Sequence, residues 1–433
     1  MSATDHLTAR EAAALLGVGR ATLYAYVSRG LIRSAPFGNG RQRRYPRADV
    51  DRLVRRRQGG AEGAGTGQPA DGDLLPSAIT LIADGRLSYR GHDAAALAEA
   101  LTLEETARLL WRADDWDPFA APADGLAGAS GPGPFLPPIP APPARLSPLA
   151  LLQASLPLAE AMDPQAVNHG PRGCARTGAR LLHHALDVMV PEANPAGPAA
   201  APREPIHRAL ARRWGLPDMA AETGGGDLLR RALVLCADHE FNASTFAARC
   251  IAGTGASVYA AVAGALAALG GPRHGGATAR VAAMLDLIPG LAAPAGADRA
   301  RRRSSGSETG AEAAIAARLG RGEDLPGFGH TLYPGRDPRA AALLKALAGH
   351  APDHPLRIGL ADLARAALKL SDRHPNVDFA LVAVCRVLAL PPDAPLILFA
   401  LGRIAGWVAH AEEQYRDGRL VRPRSAYVGP PPL

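Results

Sequence analysis

Apolar residues recur at helical spacing through most of this chain. From Leu75 onward, Ala- and Leu-rich stretches are interrupted by glycine or proline, a pattern typical of helices that bury one face. The longest run with few polar residues, 256–270, ends in Gly-Gly-Pro. It is too short for a membrane span and predicts a buried helix. The sequence therefore predicts a mainly α protein.

The first 58 residues have a different pattern, which begins with a short amphipathic helix. Thr8 followed by Glu11 is the signature of a capping box at the start of that helix. The apolar face predicted for the helix comprises Ala12, Leu15 and Leu16.

A turn, a second helix and a basic hairpin follow. The turn is Gly-Val-Gly, and the second helix, 20–29, directs Leu23 and Val27 inward. Asn39-Gly40 predicts a hairpin turn before a basic strand. A third helix, 47–57, then starts after a proline.

Positive charge is concentrated in this segment. Residues 1–58 contain 12 arginines and 4 acidic residues, whereas the rest of the chain contains 36 basic and 37 acidic residues. Through GVGRATLYAYVSRGLI and RRYPRADVDRL, the segment resembles the winged helix-turn-helix of MerR- and excisionase-type DNA-binding domains. The resemblance implies duplex DNA as a partner, contacted by Arg20, Thr22, Tyr24, Arg43 and Arg44. A solvated basic appendage that reads no sequence is the alternative.

Composition bounds the rest of the molecule. Residues 59–73, rich in Gly and Ala, predict a flexible linker, and a Pro/Gly-rich stretch, 125–148, predicts a long loop or insertion. The four cysteines have no CxxC spacing, which predicts reduced thiols in the cytoplasm and no metal site. The chain opens without a signal-peptide pattern.

Five short segments carry polar residues that helix packing does not explain. They are ADHEFNASTFAAR (237–249), GGPRHGGA (270–277), PGFGHTLYPGRDPR (326–339), HPNVDFAL (374–381) and RPRSAYVG (422–429). In this order and at this spacing they resemble the citrate synthase family, as does LIADGRLSYRGHDAAALAE (81–99) upstream. The resemblance covers about 76–433.

The resemblance implies a helical enzyme that joins acetyl-CoA to oxaloacetate and then hydrolyses the thioester, with no cofactor. Removing a methyl proton beside a thioester requires a carboxylate base and a donor to the developing enolate oxygen. Asp378 matches the base and His274 the donor. His330 matches the group that hydrogen-bonds the oxaloacetate ketone, and His239 the remaining substrate-binding histidine.

Two substrate carboxylates require guanidinium groups, because Arg pairs with carboxylate in a bidentate way. Arg339, Arg403 and Arg422 match the family's carboxylate-binding arginines. In the family the last of these reaches the neighbouring subunit's site, which implies a homodimer. For CoA, relatives often carry a basic residue where Pro334 and Gly335 stand here. The candidates for binding the CoA phosphates are therefore Arg273 and Arg336. Phe328 and Gly329 are further candidates for contact with CoA, because they lie in the glycine-rich loop.

The predicted domain organisation follows from the same resemblance. Its parts are a winged helix-turn-helix (1–58), a flexible linker (59–75), a large helical domain (76–275 and 390–433) and a small helical domain (276–389). Two alternatives stay open. The enzyme could be a 2-methylcitrate synthase using propionyl-CoA, because one methylene discriminates by only about 1–3 kcal/mol. It could also be a DNA-binding regulator whose synthase-like region senses metabolites.

Overall fold

The computed structural model describes residues 6–16, 23, 34–36, 43–47, 49–50, 75–120, 146–192, 204–216, 224–292, 308–422 and 429. The chain divides into two compact units, Met1–Asp73 and Leu74–Leu433. The predicted split of the second unit into a large and a small domain stays a prediction.

The described residues of the first unit form an antiparallel sheet of three short strands, in which the last strand along the chain lies between the other two. Its described elements are β1 (His6–Thr8), α1 (Ala9–Leu16), β2 (Ala35–Pro36) and β3 (Arg43–Pro46). The capping box is confirmed: Glu11 N donates to Thr8 Oγ1 over 3.3 Å, and Thr8 N donates to the Glu11 carboxylate over 2.8 Å. The predicted basic strand is β3, which pairs with both neighbours.

The first helix does not bury all of the apolar face predicted for it. The core of this unit comprises Leu7, Ala12, Ala13, Leu23, Tyr45 and Val50. The prediction for Leu15 was wrong, since that side chain is 44% exposed. The helix buries Ala12, as predicted, and also Ala13, two small side chains that let it lie close to the sheet. The side chain of Leu16 lies outside the described residues.

Most of the DNA-contact candidates cannot be placed. Arg20, Thr22 and Tyr24 lie outside the described residues, as do the predicted hairpin turn and the side chain of Arg43. Arg44 is half-buried on β3.

The second unit opens with an antiparallel meander and continues as helices. The strands are β4 (Thr80–Ala83), β5 (Arg86–Tyr89) and β6 (His92–Asp93). The described helices are α2 (Ala94–Ala100), α3 (Leu103–Trp111), α4 (Pro148–Met162), α5 (Pro171–Met189), α6 (Ile206–Arg213), α7 (Gly225–Leu235), α8 (Ala243–Ala252), α9 (Val258–Leu269), α10 (Ala277–Asp286), α11 (Glu308–Gly320), α12 (Pro338–His350), α13 (Pro355–Ser371), α14 (Val377–Val387) and α15 (Ala394–Asp417). The mainly α prediction is confirmed, and the apolar run 256–270 is the buried helix α9.

Helix α15 lies at the centre of the apolar core and packs against α3, α5, α7, α8 and α9. It is the one described helix long and apolar enough to cross a membrane, but 94% of its most apolar stretch of 18 residues is buried inside the protein. Two glycines allow its close approach to the end of α7. A Cβ on Gly402 would lie 2.5 Å from the Leu233 carbonyl oxygen, and one on Gly406 would lie 2.4 Å from that of Ala237.

All four cysteines are unpaired, as predicted.

Candidate active site

The loop that carries His330 is folded back onto the segment before α14. Gly327 and Gly329 have φ angles of 85° and 80°, which only glycine adopts readily. Gly329 N donates to the His374 carbonyl over 2.8 Å, and Asn376 N donates to the Gly327 carbonyl over 2.9 Å. The loop and the start of α14 are therefore held together by backbone hydrogen bonds.

His330 has a defined tautomer. Its Nδ1 accepts from the backbone N–H of Leu332 over 3.1 Å. Because a backbone N–H can only donate, the neutral ring carries its proton on Nε2. Burial, followed by the charge of Arg339, lowers the pKa of His330 to about 4. At neutral pH the ring is an uncharged donor, as polarisation of a ketone requires.

His274 lies in the glycine-rich loop after α9. Its Nε2 is 2.7 Å from Ser244 Oγ. That oxygen accepts from Trp407 Nε1 over 3.2 Å and also lies 2.7 Å from Asn242 Oδ1. Burial, followed by the charges of Arg403 and Arg339, lowers the pKa of His274 to about 3. This imidazole is therefore also neutral at pH 7.

His239 follows the end of α7 and is buried. Its Nε2 lies 3.0 Å from the hydroxyl of Tyr333, and its ring centroid lies 5.1 Å from that of His330. Burial, then the charges of Arg339 and Arg403, lower its pKa well below the usual value.

Asp378 is the second residue of α14, whose N-cap Asn376 accepts from the backbone N–H groups of Asp378 and Phe379. The carboxylate is half-buried, and its Oδ1 is inaccessible to solvent and has no hydrogen-bond partner. Burial raises the pKa of Asp378 to about 7, although Arg339 and Arg403 act in the opposite direction. A carboxyl poised there can take and return a proton at neutral pH.

Arg339 is buried at the start of α12 and forms a fork with Asp337. Its Nε donates to Oδ1 over 3.0 Å and its Nη2 to Oδ2 over 2.8 Å. Burial lowers the pKa of Arg339, but the Asp337 carboxylate outweighs it and the net pKa is raised. Asp337 also accepts from the backbone N–H of Val377 over 3.0 Å, so one carboxylate joins the His330 loop, Arg339 and the helix of Asp378.

Arg403 projects from the middle of α15 and is 1% exposed. Its Nε donates to the Cys236 carbonyl over 2.8 Å, which the close approach at Gly402 permits. Both Nη atoms are buried without a partner. A buried guanidinium with two unpaired NH₂ groups is poised to take up an anion, because leaving such donors unsatisfied is costly.

Six of the seven principal residues predicted from the sequence are brought together by direct contacts or by shared electrostatic fields. His239 touches His330 through its ring, and the charges of Arg339 and Arg403 both act on the pKa values of His239, His274 and Asp378. The seventh, Arg422, is exposed in the single chain. Its predicted place in a neighbouring subunit's site stays a prediction.

The predicted CoA contacts are at different depths. Arg273 and Arg336 are exposed, as phosphate-binding side chains must be. Phe328 is 6% exposed and packs on Phe379, with ring centroids 4.9 Å apart. A contact from Phe328 to CoA would therefore use its backbone, as would one from Gly329.

Sequence reasoning missed four residues that hold this site: Ser244, Tyr333, Asp337 and Trp407. Asp337 could have been found, because an acid before Pro at the start of a helix is an N-cap signature. The other three pair across long sequence separations, which no local pattern reveals.

A cavity of about 360 Å³ lies elsewhere, at the end of α15. Its lining includes His169, Gly253, Glu412 and Tyr415, and none of the predicted catalytic residues. The cavity therefore does not locate the chemistry.

Comparison with known proteins identifies the class that this fold and site define. Residues 72–424 match the family model described as citrate synthase, C-terminal domain, and residues 7–58 match a helix-turn-helix domain. The chain belongs to the citrate synthase family, and it is an acyltransferase of the citrate synthase type.

Individual relatives agree. The chain is 31% identical to citrate synthase 2 of Bacillus subtilis over 82% of this chain and 93% of that protein. It is 32% identical to 2-methylcitrate synthase 1 of Corynebacterium glutamicum over 51% of this chain and 55% of that protein. The crystal structure of citrate synthase from Thermotoga maritima superposes with a TM-score of 0.62 at 27% identity, covering 84% of this chain and 95% of the other.

Proposed function

We propose that this enzyme condenses acetyl-CoA with oxaloacetate and then hydrolyses the thioester, giving citrate and free CoA. The observation that supports it best is the Asp378 carboxyl, whose pKa of about 7 suits a general base. It lies in the field of two guanidinium groups, Arg339 and Arg403, which also act on the neutral imidazoles of His239 and His274. Such a setting suits a carbon acid that needs a base and uncharged donors together.

Each group has a role that its contacts support. Asp378 removes the methyl proton of the acyl group, while His274 donates through Nδ1–H to the enolate oxygen. For that, the Ser244 hydroxyl must donate its hydrogen bond to His274 Nε2, 2.7 Å away, and not to Asn242 Oδ1, which lies at the same distance. His330 donates from Nε2–H to the ketone oxygen. As the new carbon–carbon bond forms, that oxygen becomes a hydroxyl and takes up one proton for the one that Asp378 removes. His239, Arg339 and Arg403 hold oxaloacetate, and water then releases CoA.

The test measures free thiol released from acetyl-CoA with and without oxaloacetate. We expect release only when oxaloacetate is present, and a loss of about a hundred- to ten-thousandfold in Asp378→Asn, because a general base contributes in that range. Absence of thiol release with both acetyl-CoA and propionyl-CoA would overturn the enzyme proposal in favour of a metabolite sensor.

Propionyl-CoA is the alternative acyl donor, and the similarity to a protein named 2-methylcitrate synthase keeps it open. One added methyl group changes binding by only about 1–3 kcal/mol. The values of kcat/KM for the two acyl-CoAs decide between the products. A higher value for propionyl-CoA than for acetyl-CoA would identify 2-methylcitrate, and not citrate, as the preferred product.

We further propose that the enzyme is a cytoplasmic homodimer and that its N-terminal unit binds duplex DNA. The helix-turn-helix match and the 12 arginines in residues 1–58 support DNA binding. A mobility-shift assay of the whole protein should show binding that weakens steeply with salt. A variant with Arg43 and Arg44 changed to Gln is the matched control. If the wild-type protein leaves DNA unshifted even at low salt, the DNA proposal is wrong.

A further inference from the structure

Tyr333 lies at the junction of three residues that the proposed function assigns to oxaloacetate. It is 1% exposed. Its hydroxyl lies 3.0 Å from His239 Nε2, its ring centroid lies 4.9 Å from that of His330, and the guanidinium carbon of Arg339 lies 5.7 Å from the same centroid. A single side chain therefore contacts both histidines and one arginine.

The hydrogen bond to His239 has a direction that can be worked out from its surroundings. Within the described part of the chain, His239 Nε2 is the only hydrogen-bond partner of the Tyr333 hydroxyl. If Nε2 carried the proton and donated it, the buried hydroxyl hydrogen would have no acceptor, which costs about 1–3 kcal/mol. If the hydroxyl donates, its hydrogen has an acceptor, and the His239 proton lies on Nδ1, which is not among the buried unpaired polar atoms of the described residues.

The charge states favour the same direction. Burial raises the pKa of the Tyr333 hydroxyl above its usual value, so the phenol keeps its proton. Burial also lowers the pKa of His239 well below its usual value, so the imidazole is neutral and one of its nitrogens is an acceptor.

We propose that Tyr333 is a positioning residue that donates to His239 Nε2 and so fixes His239 as the Nδ1–H tautomer, which donates to oxaloacetate. Tyr333 thereby also keeps the His239 ring against that of His330. The proposal rests on oxaloacetate being the substrate. It adds Tyr333 to the residues of the site and assigns the His239 proton to Nδ1.

The first experiment uses Tyr333→Phe, which removes the hydroxyl and keeps the ring that packs on His330 and Arg339. Oxaloacetate binding, measured by calorimetry without acyl-CoA, should weaken about tenfold, equivalent to about 1.4 kcal/mol. The KM for acetyl-CoA should stay unchanged. Tyr259→Phe is the matched control, because its buried hydroxyl bonds Asp163 over 2.9 Å outside the site. Wild-type affinity in Tyr333→Phe, or an equal loss in Tyr259→Phe, would overturn the proposal.

The second experiment reads the tautomer directly and needs no turnover. In ¹⁵N-histidine-labelled wild-type enzyme, with His239 assigned through a His239→Gln variant, Nδ1 should be the protonated nitrogen. In Tyr333→Phe the two tautomers should become mixed. A protonated Nε2 in the wild type would refute the proposal even if Tyr333→Phe failed to fold. Failure of the wild-type enzyme to bind oxaloacetate would refute the proposed function and leave the tautomer measurement standing.

Discussion

Asp378→Asn should separate catalysis from stability, because the same burial that makes the carboxyl a base destabilises the fold. The pKa is 3.8 for an ordinary Asp side chain and about 7 here. Each pKa unit corresponds to about 1.4 kcal/mol. Once the group is ionised in both states, burial therefore costs the folded protein about 4 kcal/mol.

The sign of the pH dependence follows from proton counts. Between pH 3.8 and pH 7 the folded protein holds a proton at Asp378 that the unfolded chain has lost, so stability falls as pH rises through this window. Asparagine cannot ionise and avoids that cost. We expect Asp378→Asn to be more stable than wild type by about 4 kcal/mol at pH 8 and by only about 2 kcal/mol at pH 5.

Urea unfolding followed by circular dichroism at several pH values measures this difference, and thiol release measures the loss of activity. Asp163→Asn is the matched control: Asp163 is also buried but pairs with Arg180 over 2.7 Å, so its loss should destabilise the protein. The reasoning would be refuted if Asp378→Asn raised the free energy of unfolding equally at pH 5 and pH 8, or lowered it at pH 8.

Three further variants test the other groups of the site. Arg403→Lys should raise the KM for oxaloacetate about 10- to 100-fold in steady-state assays, because a charged hydrogen bond contributes about 1.5–3 kcal/mol; an unchanged KM would remove Arg403 from the substrate. Ser244→Ala should lower kcat for thiol release about tenfold or more, because it leaves His274 Nε2 without its partner; full activity would contradict the tautomer proposed for His274. Arg422→Ala should be inactive, and after subunit exchange with inactive Asp378→Ala about a quarter of the wild-type activity should return, because only one site of each mixed dimer is complete; activity in Arg422→Ala alone would exclude the trans contribution.

The principal residues of the site could be singled out because they depart from the helical pattern, and their roles were predicted from the resemblance to the citrate synthase family. His330 is surrounded by glycines and prolines, and Arg403 interrupts an apolar helix, so each departs from what packing alone explains. The fold class followed from the helical period of the same sequence.

The supporting contacts could not be predicted, for a physical reason. Tyr333 meets His239 across 94 positions, and Trp407 meets Ser244 across 163. Such pairs depend on how helices pack, which periodicity does not specify. The prediction that Leu15 is buried was wrong for a related reason. An amphipathic pattern on a short helix does not specify which edge of its apolar face packs against the rest of the unit.

Asp337 has a mechanical consequence. It joins Arg339, at the start of α12, to the backbone of Val377 beside the proposed base, while Asn376 and Gly327 tie the His330 loop to the same place. Hydrogen bonds thus connect the loop of His330, which would activate the electrophile, to the helix of Asp378, which would create the nucleophile. A shift of either segment would carry the other with it, so the spacing of the two groups does not have to be re-established in each catalytic cycle.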